Sequence, residues 1–205
     1  MLTLYANFKG GTGKSTIVFN MAMWRIAQGE DVTVCDLDPQ RTITDVASIR
    51  EEDGIEPALT VVHSLPKGRK KGDWLVDVGT SDMDAMRAAI RAADMIVVPV
   101  TPSQADIWAT QNFIDIVETE RKKAKKKLPP MLAFVNRADW HPRSRENAET
   151  MEALEALGTF KALDEKLVQR LAFRRSFSEG LAVFELEPSS KAAAELDALA
   201  RAIYG

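Results

Sequence analysis

The sequence predicts a doubly wound α/β domain, with a mainly parallel sheet and helices on both of its faces. Three observations carry that prediction. Strand-like apolar runs alternate with helical patterns along the 205 residues, with no linker between them. The strongest run, Met95 to Val100, is apolar without interruption, as in a parallel strand covered on both faces. The polar residues suited to chemistry all follow strands: a glycine-rich loop after the first, Asp36 and Asp38 after another, Asp77 after a third and Asn136 after a fifth. In such sheets ligands bind at the carboxyl ends of the strands.

The elements follow in order. Leu2 to Ala6 is the first strand, and Ile17, Phe19, Met21, Ala22, Trp24 and Ile26 mark the first helix, closed at Gly29. Val32 to Cys35 reads as a buried strand, residues 42–50 as a helix, and Leu59 to Val62 as a short strand. Lys67 to Lys71 is a polar, basic turn before the strand Trp74 to Val78. Residues 82–92 form a helix with Ala85, Met86, Ala89 and Ile90 on one side. The run Met95 to Val100 ends at Thr101-Pro102-Ser103, and a helix of about twenty residues follows. Met131 to Val135 is the next strong strand, residues 144–157 a helix stopped by Gly158, and the chain closes with an amphipathic helix from Ser189 to Ile203. Residues 160–187 carry no clear period. Trp24 and Trp108 fall on apolar helical faces and are expected in the core or an interface.

Length and composition set bounds. A chain of this size suits one domain, 1–205, with a sizeable core. Hydrophobic residues make up 45% and charged residues 28% of it, ordinary for a soluble globular protein. No apolar run approaches a membrane span, and no secretory signal is expected. One cysteine, Cys35, excludes an intrachain disulfide and a cysteine metal cluster; it reads as a small buried hydrophobe. The net charge of −3 argues against a protein that is basic all over, but leaves room for a local basic patch. His63 and His141 lack metal-like spacing.

The first strand feeds into Phe8-Lys9-Gly10-Gly11-Thr12-Gly13-Lys14-Ser15-Thr16 and then into a helix. Strand, glycine-rich loop and helix form the context of a phosphate-binding loop. Gly10, Gly11 and Gly13 let the backbone approach phosphate oxygens, with Thr12 and Thr16 in the same cradle. The positive end of the helix adds to the attraction. Lys14 is placed to reach the terminal phosphates, and the Ser15 hydroxyl to ligate magnesium. The loop departs from the usual pattern at Phe8, where a glycine is the rule, and carries an extra lysine, Lys9. A lysine there points away from the phosphates of its own loop, which implies service to a nucleotide held by another subunit.

Asp77 closes an apolar strand and is the candidate second acidic residue of a nucleoside triphosphatase, holding magnesium through water. Asp36-Leu37-Asp38-Pro39-Gln40 puts two carboxylates on one side of an extended segment, with Pro39 restraining the backbone.

The Lys-Gly-Gly-x-Gly-Lys-Ser loop resembles the deviant Walker motif of the ParA/MinD group of ATPases. The likeness extends to Asp36–Gln40, Asp77, Val98–Ser103 with Asp106, Phe134–Asn136 and Val183–Glu185 before Pro188, nearly the whole chain. It is most similar to the short ParF-like branch, which lacks an N-terminal DNA-binding domain; with the loop starting at residue 9, none is expected. The resemblance implies a P-loop ATPase using ATP and magnesium. Asp38 would orient or activate the attacking water, and Asp36 would help position magnesium or the switch. Lys9 would complete a partner's site in an ATP-bound sandwich homodimer. Asn136 and the segment around Pro188 would contact adenine, and Thr101 to Asp106 would lie near the dimer interface. Asp77-Val78-Gly79 departs from members that carry prolines there.

Members of this branch bind DNA non-specifically as ATP dimers and position plasmids or protein cargo, carboxysomes among them, over the nucleoid. The resemblance thus implies a cytoplasmic, nucleoid-associated protein with a ParB-like or cargo-adaptor partner that stimulates hydrolysis, and no membrane contact. Phosphate contacts by Lys and Arg would suffice for the DNA. Three basic clusters are available: Lys67, Arg69, Lys70 and Lys71; Arg121 to Lys127; and Arg170, Arg174 and Arg175. The third falls where the family's late basic residues lie and is favoured. Two alternatives are a MinD-like membrane-positioned ATPase, disfavoured by the short, weakly basic end Leu199 to Gly205, and a metabolic ligase or kinase, for which no substrate constellation is found.

Overall fold

The first strand, β1 (Leu2–Tyr5), lies at the middle of the sheet, hydrogen-bonded on one side to β4 (Asp73–Asp77) and on the other to β5 (Met95–Val100). The computed structural model describes residues 1–68, 71–141 and 143–205. Arg69 and Lys70 of the first basic cluster lie outside the described residues. With β2 (Val32–Asp36), β3 (Thr60–Val62), β6 (Met131–Ala138) and β7 (Lys161–Ala162), the order is β3-β2-β4-β1-β5-β6-β7. A further short strand, β8 (Leu167–Val168), pairs with the far end of β6. Every pairing among the described residues is parallel, in agreement with the fold class expected from the alternation.

The two faces of the sheet explain the unbroken apolar strands. On one face Tyr5, Val34, Leu75 and Val97 pack with α1 (Lys14–Ala27), α2 (Thr42–Glu52) and α8 (Lys191–Tyr204). On the other, Leu2, Leu4, Val76, Ile96 and Val98 pack with α3 (Met83–Ala92), α4 (Gln104–Lys123) and α5 (Arg145–Leu157). Successive strand residues point to opposite faces, so both sets must be apolar. Each fully buried large side chain contributes roughly 1.5–3 kcal/mol. Cys35 is buried among them, and burial pushes its thiol up to about 12.

Helix boundaries follow their caps. Asp82, Ser103, Ser144 and Ser190 each accept a hydrogen bond from a first-turn N–H of α3, α4, α5 and α8, the ordinary N-cap arrangement. Gly158 closes α5 with φ 66°.

Two expectations are refined. The region 160–187 resolves into β7, β8, α6 (Leu171–Ser178) and α7 (Val183–Leu186). Two-residue strands and a four-residue helix are too short to show a period. Trp24 is 8% exposed and its indole N–H donates to Asp197 at 2.9 Å, as a core-edge residue should. Trp108 is 64% exposed and is therefore not core.

The connections from β1 and β4 diverge. After β1 the chain crosses to β2 by α1 on one face; after β4 it crosses to β5 by α3 on the other. A crevice opens at the carboxyl ends where such connections part. In register, Asp77 lies beside Tyr5 and beside Asp36, so the glycine-rich loop and both strand-end carboxylates meet at that crevice.

Candidate nucleotide site

The loop between β1 and α1 is shaped by its glycines. Gly11 and Gly13 have φ of 76° and 83°, the left-handed region that side chains disfavour. Gly13 is the N-cap of α1, and no side chain caps the helix. The first N–H groups of α1 are thus left for a ligand, and the helix end favours an anion. Its first turn holds no acidic residue. Lys14 stands instead at this positive end, where a cation is disfavoured, and it is only 7% exposed. Burial lowers its pKa, partly offset by the charges of Asp77 and Asp38. A buried cation at a helix N-terminus is stabilised by an incoming anion, and phosphate supplies one.

Asp77 is fully buried, and neither carboxylate oxygen has a hydrogen-bond partner among the described residues. Burial raises its pKa to about 6, opposed by the Ser15 hydroxyl and the Lys14 ammonium. Ser15 is close enough to favour the charged carboxylate, although the pair lacks hydrogen-bond geometry. Buried polar groups without partners are rare in folded proteins. An unsatisfied carboxylate next to a hydroxyl and a phosphate loop fits magnesium held through water. No cluster of three or more His, Cys, Asp or Glu side chains that could hold a metal occurs among the described residues.

The two carboxylates after β2 behave differently. Asp36 is buried; one oxygen accepts from the Thr44 N–H at 3.0 Å and hydroxyl at 2.7 Å, the other from the Asp38 N–H at 3.3 Å. It ties the start of α2 to the strand end. Asp38 is more open: it accepts from the Gln40 N–H at 2.9 Å and rests against the backbone after β4. A Cβ on Gly79 would meet the Asp38 carboxylate at 2.9 Å. The absence of a side chain at 79, in the segment that departs from the family pattern, is what lets Asp38 lie there.

A cavity of about 480 Å³ opens on the other side of the loop, lined among others by Gly13, Thr16, Asn136, Leu167 and Phe173. That size suits a nucleoside. Asn136 is buried and donates to the Thr12 carbonyl at 2.6 Å, so it braces the loop at the cavity wall. Pro188 is not part of that wall; it lies exposed in the turn between α7 and α8. The three late arginines do not form one free basic face. Arg170 lines the cavity and makes a bidentate ion pair with Glu195, Arg174 lines the cavity as well, and Arg175 approaches Glu187 at 3.6 Å.

Lys9 is exposed, and among the described residues no ion pair forms with it. Its N–H donates to Asn7 at 3.3 Å. Asn7, which the sequence did not single out, is fully buried and donates to the Pro99 carbonyl at 3.1 Å and to Thr110 at 3.2 Å. Thr110 donates to the carbonyl of Asp106, whose carboxylate accepts from Thr101 and Ser103. The start of the loop is thereby fixed to Thr101–Asp106. Two more buried residues escaped the sequence reading. Asn20 joins the Thr16 carbonyl to the Val183 N–H. Arg50 joins α2 to Glu185 of α7 through two bonds of 2.7 and 2.8 Å. Their signal was weak: Asn20 is a polar residue among the apolar residues of α1, and Arg50 is one of several charged residues at the end of α2.

The fold and this loop define a nucleotide-binding protein, and comparison with known proteins agrees. Residues 3–183 match the model of the CobQ/CobB/MinD/ParA nucleotide binding domain. The maintenance of carboxysome distribution protein A of Halothiobacillus neapolitanus is 31% identical over 93% of this chain and 89% of its own length. Protein ParA of Rhizobium radiobacter is 26% identical over 87% of this chain and 83% of its own. A structure of an aspartate-to-alanine variant of Cyanothece McdA in complex with ATP superposes with a TM-score of 0.74, covering 98% of this chain and 95% of that one at 16% identity. The chain belongs to the CobQ/CobB/MinD/ParA nucleotide-binding family, and it is homologous to the ParA-type positioning ATPases.

Proposed function

We propose that the chain is a magnesium-dependent ATPase of ParA type that positions cargo over the nucleoid. The observation that carries the catalytic reading is the buried Asp77 carboxylate without a partner, beside Ser15 and Lys14 at the carboxyl ends of the strands. In this reading the loop from Gly10 to Thr16 binds the phosphates, and Lys14 neutralises charge on the terminal ones. Ser15 and Asp77 hold magnesium, with Asp36 positioning the switch; the ion supplies charge neutralisation between the phosphates. Asp38 orients the attacking water. Asn136 shapes the base-side wall.

Lys9 acts on a partner's nucleotide, so the ATP state is a homodimer. Its exposure and lack of an internal partner support this, as does the tie from its backbone to Thr101–Asp106 through Asn7. The dimer binds DNA non-specifically, with exposed Arg174 and Arg175 as contacts and Arg170 committed to Glu195. An adaptor protein stimulates hydrolysis and releases the dimer. The likeness to a carboxysome distribution protein makes a protein cargo the favoured freight. Among the described residues no helix is long and apolar enough to cross a membrane.

Size-exclusion chromatography with ATP tests this reading. Asp38→Ala should bind ATP, hydrolyse it slowly and elute as a dimer, whereas Asp38→Ala combined with Lys9→Ala should stay monomeric. Hydrolysis by Asp38→Ala at the parental rate, or a Lys9→Ala dimer of unchanged strength, would remove that residue from its role.

A further inference from the structure

We propose that Arg137 binds the diphosphate that ATP and ADP share, from the base side of the loop; the inference rests on the nucleotide-site reading above. Arg137 is placed by a bulge. β6 pairs with β8 through Asn136–Leu167 and Ala138–Val168, and the register shifts between them. Arg137 is the residue left over. A bulge re-aims a side chain and recurs beside functional sites.

Its backbone has φ 52°, a left-handed conformation that costs energy for any residue with a side chain. A glycine or asparagine would sit there more easily. The surrounding structure maintains the strain, and the result is a guanidinium turned toward the loop. A Cβ on Gly13 would lie 3.7 Å from Arg137 Nε and 3.9 Å from Nη2.

The Arg137 side chain is exposed to solvent and so is accessible to a ligand. No hydrogen bond or ion pair holds the Arg137 side chain among the described residues, while Arg170 on the same cavity is paired with Glu195. The nearby end of α1 is positive, as is Lys14. A guanidinium with five donors and no acceptor, held beside a positive helix end, is complementary to phosphate.

The position selects which phosphate. Arg137 lines the cavity with Gly13, Thr16 and Asn136, whereas Lys14, Ser15, Asp38 and Asp77 lie off that wall. The terminal phosphate belongs with the latter group. Arg137 therefore meets the part of the nucleotide that hydrolysis leaves unchanged.

The test is titration of fluorescent ADP and of a non-hydrolysable ATP analogue into the parental protein, Arg137→Gln and Arg137→Gly, with Tm of each protein measured without ligand. Both variants should lose roughly tenfold in affinity for both nucleotides. Arg137→Gly should also raise the ligand-free Tm by relieving the backbone, so that affinity and stability move in opposite directions. Unchanged ADP affinity in both variants overturns the proposal. Loss confined to the ATP analogue also overturns it, because the contact would then be to the terminal phosphate. A parental protein that binds neither nucleotide instead refutes the nucleotide site itself.

Discussion

Asp77→Asn should stabilise the ligand-free protein near neutral pH while destroying its response to magnesium and nucleotide. Burial lifts the Asp77 carboxyl from 3.8 to about 6. A difference of roughly two pH units corresponds to about 3 kcal/mol. The sign follows from proton binding. Folded Asp77 holds its proton more tightly than the unfolded chain does, so its favourable contribution is complete below about pH 4 and is lost as pH rises through about 6. Near pH 7.5 the folded protein carries a buried charge without a hydrogen-bond partner. Asparagine keeps the shape and removes the charge, at the cost of two new donors that need partners, about 1 kcal/mol. The expected net gain is about 2 kcal/mol, or roughly 4–8 °C in Tm for a chain of this size. Urea denaturation with chelator, near pH 7.5 and near pH 4, measures it. The gain should appear only at the higher pH. Magnesium with ADP should stabilise the parental protein and leave Asp77→Asn unmoved. Equal stability at the higher pH, or an equal gain at both, would show that Asp77 carries no latent charge for a metal to neutralise.

Gly79→Ala should lower kcat about tenfold with nucleotide affinity intact, because its Cβ meets Asp38 at 2.9 Å and a small displacement of a positioned group costs rate; an unchanged kcat would detach Asp38 from the backbone after β4. Arg50→Ala should cost about 3 kcal/mol in urea denaturation, since it removes a fully buried guanidinium and leaves the Glu185 carboxylate only the Ala182 N–H; a loss under about 1 kcal/mol would deny the pair that role.

Much of the site was readable because it is local. Gly10 to Ser15 must lie between a strand and a helix, and their spacing alone implies phosphate. Asp36, Asp38 and Asp77 stand at the ends of apolar runs, where a parallel sheet gathers its ligands. The arginines show where that reasoning stops. Arg170, Arg174 and Arg175 are close in sequence, but the fold turns Arg170 and Arg174 toward the cavity and gives Arg170 and Arg175 carboxylate partners more than ten residues away. Pro188 is near the final helix in sequence, but it does not line the cavity.

The sequence by itself determined the fold class, the phosphate loop and the carboxylates beside it, because each depends on a strand, a turn and a helix in succession. Tertiary structure decided which of those groups are satisfied. Asp36 is bonded to Thr44 and Asp77 is left without a partner. Asn7 fixes the loop to Thr101–Asp106, and a bulge turns Arg137 toward Gly13. Such relations join residues distant along the chain, and burial, which sets their energetic weight, exists only once the sheet is covered on both faces.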